Sequence, residues 1–184
     1  MPHRQPALFR APSLVLLLLG LATGIQAAPA DEVRALMGRG DSLAALAAAD
    51  RAVQAQPRDA TLRFLRGVVL MELRRDDEAV QAFTQLTHEY PELPDPYNNL
   101  ALLHARAGRL ESAREALQSA LLANPSHRAA RANLGQIHLL LAAQAWDQAA
   151  NASPPDAELQ RKLQALRQLL ASEAFSGPPP AQPR

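Results

Sequence analysis

An all-α solenoid of paired helices is the fold this sequence predicts, and three observations predict it. Alanine and leucine dominate, while Val, Ile, Tyr, Phe and Trp are few. Helix is the natural state of such a composition. Pro57, Pro91 and Pro125 recur at one unvarying spacing. Proline lacks an N–H and clashes with the preceding turn, so each marks an equivalent helix end. Other positions recur at the same spacing: Gly67, Ala101 and Gly135; Ala45, Ala79 and Ala113; Leu36, Leu70, His104 and His138; Phe83 with Leu117 and Leu86 with Ala120. A fixed period is the mark of a repeat architecture, in which a unit buries its apolar face only by stacking on its neighbours.

The first element precedes the repeats. Residues 1–13 carry Arg4 and Arg10 and no acid, Leu14 to Ala22 form a short apolar run, and Gly24, Ala27 and Ala28 supply small residues. This order predicts a secretory signal peptide over 1–27, cut after Ala27 or, in the alternative, after Ala30. The apolar run is short for a membrane span, which needs about 20 residues; retention as an uncleaved anchor is the other reading. Removing the two arginines of residues 1–27 turns a formal charge of +1 into −1. A nearly neutral domain offers no broad field for nucleic acid or anionic lipid. With no cysteine the fold cannot use disulfides, and no lipid-modified cysteine exists at the cut. Lys162 is the only lysine, so cationic sites fall to arginine.

The repeats follow. Small residues at Gly67, Ala101 and Gly135, and at Ala45, Ala79 and Ala113, let helix backbones approach, while Phe83 and Leu117 fill the layer between them. Between the paired helices lie Arg39-Gly40-Asp41, Arg74-Arg75-Asp76 and Ala107-Gly108-Arg109, read as turns with C-cap glycines and N-cap aspartates. Tyr97, Leu100, Ala101, Ala113, Leu117, Ala120 and Pro125 in one unit, and Gly67, Leu70, Ala79, Phe83 and Pro91 in the one before, resemble the tetratricopeptide repeat family. The resemblance covers about residues 31–155. It implies a right-handed superhelical solenoid of helix-turn-helix units: about 31–59, 60–93 and 94–127, then a shortened unit over 128–155. The stretch from Tyr90 to Ala101 is also similar to exported tetratricopeptide proteins of proteobacteria.

The last unit breaks the period. Pro154 comes too soon after Pro125 to keep the spacing, and what is missing is the turn between helices. Leu139 to Ala143 hold no Gly, Pro, Asn or Asp to reverse the chain. A single helix over about 126–151 is expected, with a turnless hairpin as the alternative. A capping helix over 156–172 follows, with Leu159, Leu163, Leu166 and Leu170 as its apolar stripe. Residues 176–184 contain no core-forming side chains and are expected to be disordered.

The resemblance implies that first helices line a concave groove. Phe64, Leu65, Val68 and Met71, then Asn98, Asn99, Leu102 and Arg106, then Ala132, Asn133 and Gln136 would form it. Of these, Phe64, Val68, Asn98, Asn99, Leu102, Arg106, Asn133 and Gln136 are the candidate partner-binding residues. Asn99 and Asn133 hold equivalent positions in adjacent units, so they would stack, and their amides could hold an extended backbone; the bland alternative is a bond to a neighbouring turn. With no groove lysine and with Arg106 nearly alone, a clamp on a terminal carboxylate is not expected. His104 and His138 read as aromatic stand-ins in the packing layer, and Trp146 as a core residue. Asp76-Asp77-Glu78 complements a helix start rather than holding a cation. No nucleophile elbow, phosphate loop, metalloprotease helix or metal-ligand set is visible. The expectation is therefore a non-catalytic, cofactor-free interaction module in the periplasm, binding a protein or peptide segment and no nucleic acid. The alternative is a structural subunit of an envelope assembly, held by its N-terminal segment.

Overall fold

Eight helices run in chain order through the residues described by this computed structural model, which are 28–152 and 157–171. The expected signal segment 1–27, Pro154 and the tail 176–184 lie outside the described residues. The helices are α1 (Pro29–Gly38), α2 (Ser42–Ala55), α3 (Ala60–Glu72), α4 (Asp76–Glu89), α5 (Pro94–Arg106), α6 (Leu110–Ala123), α7 (Arg128–Ala152) and α8 (Ala157–Ala171). Each packs on the next, and the odd-numbered helices α1, α3, α5 and α7 also touch in succession. This is the connectivity of a helical solenoid.

Local chemistry sets the helix ends. Pro29 and Pro94 open α1 and α5, where their missing N–H costs nothing. The Asp41 carboxylate accepts from the Ala44 N–H at 3.2 Å, and Asp59 accepts from Leu62 at 3.0 Å, capping α2 and α3. Asp76 does not cap α4. Arg75 holds that place without a side-chain hydrogen bond, and Asp76 falls inside the first turn with Asp77 and Glu78. The left-handed turn position is filled by Gly40 (φ 75°), Arg74 (φ 59°) and Gly108 (φ 74°), one in each of three successive units. Glycine adopts this backbone freely; arginine does so at a steric cost.

The core is a layer of small and large residues in alternation. Phe83 is fully buried and its ring presses on the Gly67 backbone: a Cβ there would stand 2.7 Å from the ring. Phe64 lies against Phe83 with ring centroids 5.6 Å apart. Farther along, Ala101, Ala113, Leu117 and Ala120 bury with Ala130 and Ile137.

The chain does not fold back in the fourth unit. α7 continues for 25 residues, as the missing turn requires. A Cβ at Gly135 would therefore meet nothing within 4 Å among the described residues. For the same reason two expectations are corrected. His138 is exposed rather than packed, because no second helix among the described residues returns beside the first half of α7, and Trp146, on the half where α8 packs, is half-buried rather than core. α8 packs on the far half of α7 through Leu163 and Leu166, with Arg167 paired to Asp147 at 2.5 Å. No helix among the described residues is long and apolar enough to cross a membrane.

Candidate functional site

A groove of about 930 Å³ opens where the starts of α3, α5 and α7 lie side by side. α3 contributes Ala60, Thr61 and Phe64, and the entry to α5 contributes Leu93, Pro94, Asp95 and Pro96. α7 and its lead-in add His127, Arg128, Ala129 and Ala132, beside Asn124 and Ser126. The prolines that open α5 give this wall a rigid apolar surface, since each fixes its own φ.

His127 organises the α7 side of the groove. Its Nδ1 accepts from the Ala130 N–H at 3.0 Å, capping α7, and its Nε2 stands 3.0 Å from Asp95 Oδ1. The cap requires an unprotonated Nδ1, so the ring donates through Nε2–H to Asp95. One side chain thus caps its own helix and ties it to the start of α5. The sequence did not single out His127, because histidine is not a common cap. Its place just ahead of the α7 start, at the offset a capping side chain takes from the N–H it accepts, was the available signal.

The eight expected site residues do not gather in one open groove. Phe64 lines the cavity, though the side chain itself is largely buried. Val68, Asn98, Asn99 and Asn133 are buried as well. Leu102 and Gln136 are half-buried and Arg106 exposed, away from the cavity walls. Arg106 is also engaged: its guanidinium bonds Asp76 at 2.7 Å, joining the end of α5 to the start of α4. The amide pairing is shifted by one residue from the expected register. The Asn133 Nδ2 donates to Asn98 Oδ1 at 2.9 Å across α5 and α7, rather than facing Asn99. Asn99 is fully buried, and neither amide atom has a partner among the described residues. Burial of the three asparagines follows from the approach of the odd-numbered helices. Their side chains lie between first helices instead of standing free above them.

His104 is half-buried at the α5–α6 turn, where Arg109 donates to its Nδ1 at 3.2 Å. Burial, and then the Arg109 charge, push its pKa below the usual imidazole value. Among the described residues no three His, Cys, Asp or Glu side chains cluster as a metal site would require.

Two family models, each described as tetratricopeptide repeat, match residues 30–94 and 77–137. No curated protein sequence matches. Among solved structures, the second TPR domain of human RPAP3, in complex with an HSP70 peptide, aligns at TM-score 0.55 and 19% identity, over 60% of this chain and 92% of that one. YrrB, a TPR protein with an unusual peptide-binding site, aligns at 0.54 and 27% identity, over 57% and 54% respectively. MamA from Desulfovibrio magneticus RS-1 aligns at 0.56 and 22% identity, over 78% and 76%.

Proposed function

The chain belongs to the tetratricopeptide repeat family, and from that premise we propose that it is a non-catalytic protein-interaction module, exported to the periplasm as a scaffold or adaptor. The groove at the starts of α3, α5 and α7 holds an extended segment of a partner. The single observation that carries this reading is the groove itself: about 930 Å³, walled by Ala60, Phe64, Leu93, Pro94, Pro96 and Ala132, with Arg128 at its edge. Apolar walls of that kind accept small apolar side chains, while Thr61, Asn124 and Ser126 offer groups for a backbone. Arg128 adds a preference for an acid in the bound segment. YrrB, with its peptide-binding site, supports the general mode, and the RPAP3 domain in complex with an HSP70 peptide shares the fold.

The test is site-specific photocrosslinking in the native host. A photoreactive residue at Ala129, on the groove wall, should yield a discrete adduct that an equivalent residue at exposed Leu122 does not. Equal labelling at both positions, or none at Ala129, would count against the groove. Mass spectrometry of the same protein tests export: a chain starting at Ala28 or Asp31 supports it, and an intact Met1 on membrane-bound material reverses it.

A further inference from the structure

The fourth unit has the sequence of a helical pair but the structure of one helix, and among the described residues nothing fills the place of the second helix beside Gly135. In the second unit Phe83 packs on Gly67. Two periods on, Gly135 repeats Gly67. With the missing turn allowed for, Trp146 repeats Phe83, and Ala142 and Ala149 repeat Ala113 and Ala120. On a straight helix Gly135 and Trp146 stand about 16 Å apart, so the pair cannot meet within one chain.

The seam between them is continuous. At about 100° per residue, Arg131, Gly135, His138, Ala142, Trp146 and Ala149 fall within an arc of about 80° on α7. Arg131, Gly135, His138 and Ala149 are exposed, and Ala142 and Trp146 are half-buried. α8 packs on the far half of α7, where Trp146 is half-buried, while Gly135 and His138 on the near half stay exposed. α8 is tied to Asp147, which lies about 120° round the helix from Gly135. None of the six residues lines the groove described above.

We propose that a second copy of this chain covers the seam. Two α7 helices pair antiparallel about a two-fold axis near Leu140 and Leu141, and Trp146 of each copy fills the space beside Gly135 of the other. The first half of α7 then gains the second helix its unit lacks, supplied in trans. The contact is isologous, as a two-fold pair requires, and it extends the packing already made within the chain by α3 with α4 and α5 with α6. Loss of a hinge turn is a recognised route to such exchange.

The chain, expressed from Met1 and purified in whatever processed form is recovered, should sediment as a dimer at tens of micromolar. Because it has no cysteine, its register can be read directly. Arg131→Cys and Ala149→Cys lie about 27 Å apart on one helix but opposite each other in the pair. A short bis-maleimide should therefore join the two single variants when they are mixed, and neither variant alone. Gly135→Leu has no neighbour to disturb among the described residues. It should keep its helical content and weaken the dimer at least about tenfold. Copying Gly108–Ser112 after Leu141 restores the turn and should give a monomer. A monomeric wild type, a dimer that links Arg131→Cys to itself, or a dimer unaffected by Gly135→Leu would overturn the proposal.

Discussion

At the scale of single residues, position in the repeat decides what a side chain costs or contributes. Arg74 stands where the other units have Gly40 and Gly108, at φ 59°. A left-handed non-glycine residue costs about 1–2 kcal/mol, partly offset by the greater chain entropy that glycine loses on folding. Arg74→Gly is expected to raise stability by about 0.5–1 kcal/mol in denaturant unfolding; a lower midpoint would mean that the arginine makes a compensating contact. The asparagines separate in a similar way. Asn133→Ala leaves the buried Asn98 Oδ1 without its donor and should cost about 1–3 kcal/mol. Asn99 has no partner to abandon among the described residues, so Asn99→Leu should be neutral or stabilising. Equal losses at the two sites would show that Asn99 is held after all. The repeat register paired Asn99 with Asn133, whereas Asn133 bonds Asn98. Their burial was not legible, because it depends on how closely α5 and α7 approach, and the repeat period carries no information on that distance.

At the scale of helices, the period predicted the hairpins well because the constraints are local and repeated. Proline ends, small residues at contact points and left-handed turn positions each act within a few residues. The break after α6 was legible too, since a hairpin needs a turn and Leu139 to Ala143 provide none. What the period misled on was the content of the broken unit. His138 and Trp146 inherit packing positions by register, yet packing requires the returning helix that α7 does not make. The groove was misjudged for a related reason. Register named the middles of the first helices, whereas the open space lies at their starts, between α3, α5 and α7. Helix contact can be tested where the second helix is present. Gly67→Leu would drive its side chain into the Phe83 ring, already 2.7 Å from a bare Cβ, and Ala113 is fully buried. Each leucine substitution should destabilise by about 1–3 kcal/mol through overpacking. Wild-type thermal unfolding in both variants would contradict the assigned contacts.

At the scale of the whole molecule, acid should weaken the solenoid in two separate steps, because different groups resist protonation for different reasons. The first step belongs to His104. Burial and the Arg109 charge place its folded pKa below the unfolded value of about 6.5. As pH falls through about 6.5 the unfolded chain takes up a proton that the folded chain refuses. Stability therefore falls with pH in that window and levels off once the folded histidine is also protonated. The second step belongs to Glu78 and Glu89. Hydrogen bonds from Arg75 and Arg63 hold their carboxyls below the usual range. Their contribution is present above the unfolded value of about 4.3 and is lost as pH falls through the lowered folded values. Both carboxylates are open to solvent, so screening keeps this second contribution small and makes it fade with added salt. Thermal unfolding followed from pH 8 to pH 3 should show a plateau, a shallow decline beginning near neutrality and a further decline in the carboxylate range. His104→Gln should remove the first decline and leave the second, while Glu89→Gln should reduce only the second. A wild-type melting temperature that rises on going from pH 7 to pH 5.5 would mean that the folded state favours the charged imidazole, and the assignment of His104 would be reversed.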